Sequence, residues 1–89
     1  MIKQLQHQAK MEFGTGDIGL NAGAIKEDDN KVGIIIFYNQ EPRSIGDTGD
    51  IKAGTEVDIN DFPVVMEFYR KESIDVVIKA LLEAKKKMD

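Results

Sequence analysis

The sequence predicts an α+β fold: an antiparallel sheet of four to five strands, one C-terminal helix packed on one face, and self-association through the other. Three observations carry this. Residues 32–38, VGIIIFY, are apolar on both sides of a strand, with Val32, Ile34, Ile36 and Tyr38 on one and Ile35 and Phe37 on the other. The chain offers a single convincing amphipathic helix, Ile74, Val77, Ile78, Leu81 and Leu82 forming one stripe. Several further segments alternate with the period of a half-buried strand. One helix cannot cover both faces of the central strand, so a second copy is expected over Ile35, Phe37 and Val65.

The elements are expected in this order. Residues 4–13 alternate polar Gln4, Gln6, Gln8, Lys10 and Glu12 with Leu5, His7, Ala9, Met11 and Phe13, and read as one strand. A helix aligning Ile2, Leu5, Ala9 and Phe13 is the alternative, and it leaves Met11 off its stripe. Residues 14–17 form a turn. Residues 18–25 form a second strand with Ile18, Leu20, Ala22 and Ala24 on one face and a bare strip, Gly19, Asn21 and Gly23, on the other. Glycine inside a strand often marks the close approach of a ligand or another backbone. The EDDN at 27–30 joins this strand to the central one as a hairpin.

Residues 39–62 are polar and broken by Pro42, Gly46, Gly49 and Gly54, with Thr55, Val57 and Ile59 alternating as a short edge strand does. Residues 63–70 are the last strand, Pro63 taking the first position, where a strand tolerates proline. Ser73 is the expected N-cap of the helix and Asp75 suits the positive end of its dipole.

Length and composition narrow the function. At 89 residues the chain is one domain near the lower limit for a self-sufficient core, which favours association. It has no cysteine, which removes disulfides and thiolate zinc sites and suits a reducing compartment. No apolar run approaches a membrane span, so the expected setting is soluble and cytoplasmic, with no membrane partner. The net charge of −4 resides in residues 39–62, where Glu41, Asp47, Asp50, Glu56, Asp58 and Asp61 outnumber Arg43 and Lys52. The basic run at 85–87 lies at a helix C-terminus, where the dipole explains it, so duplex nucleic acid is not an expected partner.

Catalytic constellations are weak. Residues 14–19, GTGDIG, match G-x-G-x-x-G literally, but the mechanism needs a following helix and LNAGAI cannot supply it. Asp47-Thr48-Gly49 resembles the triplet of retroviral-type aspartic proteases, yet the apolar flanks that build their shared dyad are missing. His7 is the single histidine and is expected inward, as a hydrogen-bonded core or interface group. Asp58, Asn60 and Asp61 lack calcium-loop spacing. The expectation is therefore a binding module that is not an enzyme, without cofactor or metal.

Arg43 is one of two arginines and follows Pro42 just after the central strand. Its fork of donors suits a carboxylate or phosphate, against the alternative of a salt bridge to Glu41 or Asp47. The candidate ligand site is Arg43, Asn21, Gly23 and Phe37, placed at a subunit interface. Residues 39–47, NQEPRSIGD, and 71–86, KESIDVVIKALLEAKK, resemble in style the small uncharacterised proteins of bacteriophages and prophages. That resemblance implies manipulation of the host, including the phage proteins that sequester nucleotide immune signals between subunits. The competing expectation is a protein-binding inhibitor or phage structural component acting through acidic residues 39–62.

Overall fold

The computed structural model describes residues 1–52 and 54–89; Ala53, within the acidic segment, lies outside the described residues. The order is β1 (Ile2–Leu5), β2 (Gln8–Met11), β3 (Ile18–Glu27), β4 (Asn30–Asn39), a single 3-10 turn (Ile59–Asp61), β5 (Val64–Phe68) and α1 (Lys71–Lys87). The α+β class is as expected, with five strands in two antiparallel sheets: β1–β2, and β3–β4–β5 with β4 central. The chain divides into two compact units, Met1–Ala22 with Ile35–Met66, and Gly23–Ile34 with Glu67–Asp89.

The expected strand over residues 4–13 is instead a tight hairpin. Ile2 pairs with Met11, Lys3 with Lys10, Gln4 with Ala9 and Leu5 with Gln8, around a turn at Gln6 and His7. A two-residue turn hides in an alternating sequence because it preserves the parity on each arm while inverting which face each arm presents. Leu5 is therefore opposite Gln8 and exposed, and His7 lies exposed in the turn, not inward. The Lys3–Lys10 pair sets like charges across the ladder, which is unfavourable. Glu12 offsets it, its carboxylate reaching Lys3 Nζ at 2.8 Å and Lys10 Nζ at 3.8 Å.

Within the first unit this hairpin covers the side of β4 that the sequence assigns to a second copy. Ile2, Ile18 and Phe37 form a buried cluster, with Met11, Ile35, Val64 and Met66 packed against it. Phe37 is 6% exposed. The observation that demanded a partner over Phe37 is thus met inside one chain. Val64 and Met66, not Val65, join Ile35 and Phe37, because the register of β5 turns its even-numbered side to them. On the alternate side of β4, Ile36 and Tyr38 are buried and the Tyr38 ring stands 5.8 Å from that of Phe62.

In the second unit the β3–β4 hairpin closes at Asp28 and Asp29, and Asp28 adopts φ 55°, a left-handed conformation that aspartate tolerates. Val32 and Ile34 are buried. A Cβ added at Gly33 would sit 3.6 Å from Ile74 Cδ1 and 3.8 Å from Phe68 Cβ, so the helix meets the sheet over this glycine. That is the odd-numbered side of β4, not the expected Val32 and Ile34 side.

The helix starts at Lys71, two residues before the expected cap, and Arg70 occupies the cap position without a side-chain bond. Of the stripe, Ile74 and Val77 are half-buried, while Ile78, Leu81 and Leu82 are exposed. Residues 55–58 form no strand; Asp58 Oδ1 accepts from Asn60 N at 2.9 Å and caps the 3-10 turn. No helix among the described residues is long and apolar enough to cross a membrane.

Candidate functional site

Beyond the ends of β3 and β4, in the first unit, the loops 12–17 and 40–49 continue the ladder by three hydrogen bonds. Gln40 N donates to Asp17 O at 2.9 Å, Gln40 Nε2 to Gly16 O at 3.1 Å, and Arg43 N to Thr15 O at 3.2 Å. Gly16, at φ 70°, lies so close beneath the Arg43 carbonyl that any Cβ there would collide with it. Two glycine-containing loops with no regular structure are thereby held side by side.

A cleft of about 400 Å³ opens along this seam. Phe13, Ile18, Leu20 and Ile45 supply its apolar lining, and Arg43 and Asp47 its charge. Its size lies in the range typical of small-molecule sites, roughly 300 to 1,000 Å³. Phe13 is 58% exposed yet anchored, its ring meeting buried Phe37 edge-on at 6.3 Å between centroids. Ile45, at the tip of the 40–49 loop, is 77% exposed.

Arg43 makes the ion pair that sequence reasoning weighed against a ligand, with a different acid. Its Nη2 donates to Asp50 Oδ1 at 2.8 Å, Nη1 to Thr48 O at 3.1 Å and Nε to Glu41 O at 3.1 Å. Three of the five guanidinium N–H donors are spoken for, and two have no acceptor among the described residues. The arginine both shapes its loop and lines the cleft.

The other residues of the expected site are absent from the lining that Arg43 belongs to. Phe37 is core and Asn21 is structural, Tyr38 Oη donating to Asn21 Oδ1 at 2.8 Å and Asn21 Nδ2 donating to Ile51 O at 3.0 Å. The bare strip is filled at Gly19 by the Tyr38 ring and is open at Gly23, which belongs to the second unit. Neither Asn21, Gly23 nor Phe37 lines the cleft. Sequence reasoning missed Ile45; Phe13 it weighed, with Phe37, Tyr38 and Tyr69, as a stacking surface for a base, and read as core. The signal for both was a large apolar residue beside glycines, Phe13-Gly14 and Ile45-Gly46, where a loop has no core to receive it.

The titratable groups near the seam act in structure. The Met1 ammonium, 3.0 Å from Asp17 Oδ1, holds that carboxyl below its usual range, and Thr15 adds a smaller hydrogen bond. Among the described residues no group of three or more His, Asp or Glu is placed to hold a metal ion. Comparison with protein-family models, curated proteins and solved structures returns no match for this chain, so the cleft has to be read from its own chemistry.

Proposed function

We propose that the chain is a small binding module, not an enzyme, whose ligand combines a flat or apolar body with one anionic group. The observation carrying this reading is that an exposed, anchored aromatic ring, Phe13, and an arginine with two N–H donors unused among the described residues, Arg43, line one cleft. A nucleobase can stack on such a ring, and a phosphodiester can accept from the guanidinium. Asp47 in the lining and Asp50 on Arg43 oppose dense negative charge, which favours cyclic nucleotides, with one charge per phosphate, over nucleoside triphosphates. In the phage setting that the resemblance implies, the consequence is sequestration of a nucleotide signal. Sequestration by binding breaks no bond and requires no residue of this chain to act as nucleophile or base.

The test is calorimetry of the native protein against cyclic mononucleotides and dinucleotides, nucleoside monophosphates and the free nucleosides. Phe13→Ala should weaken binding by roughly tenfold or more, the usual worth of one aromatic stack, without unfolding a ring that is already exposed. Absence of heat with every ligand removes the reading. Ile45, exposed between Glu41, Asp47 and Asp50, favours a second one: an apolar anchor in an acidic rim, docking on a basic protein. That reading predicts capture of a basic partner that is lost in Ile45→Asp and retained in Phe13→Ala.

A further inference from the structure

The helix α1 buries none of its residues fully, and its C-terminal half leaves Ile78 48% and Leu82 61% exposed. These two lie on a line of helix positions, Lys71, Asp75, Ile78, Leu82 and Lys85, separated by four, three, four and three residues, and Asp89 follows two residues past the helix end at Lys87. That spacing is the a/d seam of a helix pair. Its order is also self-complementary. Reversed about Ala80, the line places Ile78 opposite Leu82 and Asp75 opposite Lys85, with Lys71 toward the end of the other helix that leads to Asp89, so opposite charges meet and the apolar pair meets in the middle.

We propose that this line is the docking surface for a second copy of the same chain, two α1 helices packing antiparallel about a two-fold axis at Ala80. A two-fold interface requires a patch complementary to itself, and an antiparallel pair is the arrangement in which this one is. A parallel pair sets Asp75 against Asp75 and Lys85 against Lys85, which the charges disfavour. Antiparallel packing also aligns the helix dipoles head to tail, with the lysines at 85–87 of one helix beside Glu72 and Asp75 of the other. Ile74 and Val77, on the neighbouring strip, remain free to hold the helix to its own sheet. With one pair of helices and two large apolar side chains per copy, the dimer is a weak and concentration-dependent one.

Sedimentation of the native chain over a wide concentration range should show a monomer–dimer equilibrium. Asp75→Lys and Lys85→Asp should each raise the dissociation constant by roughly tenfold, because each substitution converts two attractive contacts into repulsive ones. Mixing the two variants should restore association as a heterodimer, since each then meets the other's opposite charges, and the double variant should dimerise like the native chain. Far-UV circular dichroism keeps loss of the helix separate from loss of the interface. A native chain monomeric at every concentration overturns the proposal. So does a dimer indifferent to both substitutions, which places the interface elsewhere, or a helix that binds anionic lipid vesicles as a monomer.

Discussion

The hydroxyl of Tyr38 lies 2.8 Å from Asn21 Oδ1, and it also accepts from the backbone N of Ile51 at 3.3 Å. Asn21 returns to the same segment by donating to Ile51 O. Gln40 repeats the device, accepting from Asp50 N at 3.1 Å while donating to Gly16. Three side-chain contacts, from Tyr38, Asn21 and Gln40, thus fasten a segment at Asp50 and Ile51 that has no strand or helix of its own. The ring of Tyr38 fits because Gly19 and Gly49 leave room for it on either side.

Tyr38→Phe keeps the ring and removes the hydroxyl, leaving the Ile51 N–H and one side of Asn21 without their partner. The expected cost is about 1 to 3 kcal/mol, with faster amide exchange at Asp50 and Ile51. Gly19→Ala attacks the same arrangement from beneath, since its methyl group would fall within the Tyr38 ring. Denaturant melts should show a loss of about 1 to 3 kcal/mol, the usual range for overpacking. An unchanged midpoint in both variants would show that the loop is held by other contacts.

The class, the β3–β4 hairpin, the last strand and the helix were legible in the sequence because each rests on a period or a turn that local residues set. The N-terminal hairpin was not. Alternation is the same for one strand of ten residues and for two of four joined by a two-residue turn, and Gln6 and His7 carry none of the glycine or asparagine that usually marks such a turn. That single misreading moved His7 inward and left Phe37 uncovered, and from it followed the expected association through the sheet. Of the site, Arg43 was legible as a donor fork in a proline-led loop. Its pairing with Asp50 was not, since the two lie seven positions apart in a loop and no periodicity links them.

The core and the helix should respond differently to truncation. Phe37→Ala removes a ring buried among Ile2, Ile18 and Phe13, and should cost about 3 to 5 kcal/mol. Leu81, 65% exposed and off the proposed seam, should tolerate alanine within about 0.5 kcal/mol in dilute solution. Thermal melts at low micromolar concentration compare the two directly. A large loss at Leu81 would mean that the end of α1 is covered.

Gly16 combines two requirements, a φ of 70° and the Arg43 backbone at contact. Alanine there should loosen the seam by more than the left-handed penalty of about 1 to 2 kcal/mol. The amide of Arg43 should lose protection from exchange, and Gly46→Ala, at φ 94° but in open space, should leave it protected. Equal exchange at Arg43 in both variants would show that close approach adds nothing to conformation.

The Lys3–Lys10 pair makes the N-terminal hairpin sensitive to acid. A hydrogen bond from Lys3, and then its charge, hold the Glu12 carboxyl below its ordinary value against the opposing effect of desolvation, with a lesser contribution from the Lys10 charge. A carboxyl lowered by folding stabilises the folded state while ionised, fully so above the ordinary glutamate value, and that contribution fades as the pH falls through the lowered one. Protonation also restores the uncompensated repulsion between the two lysines. Urea melts should therefore show a gap in stability between the native chain and Glu12→Gln that is constant at neutral pH and closes below the glutamate range. Molar salt should narrow the gap at neutral pH, because these side chains are about half exposed and screening at that strength acts over about 3 Å. If the gap persists unchanged at acid pH, Glu12 supports the hairpin by packing and its charge is idle.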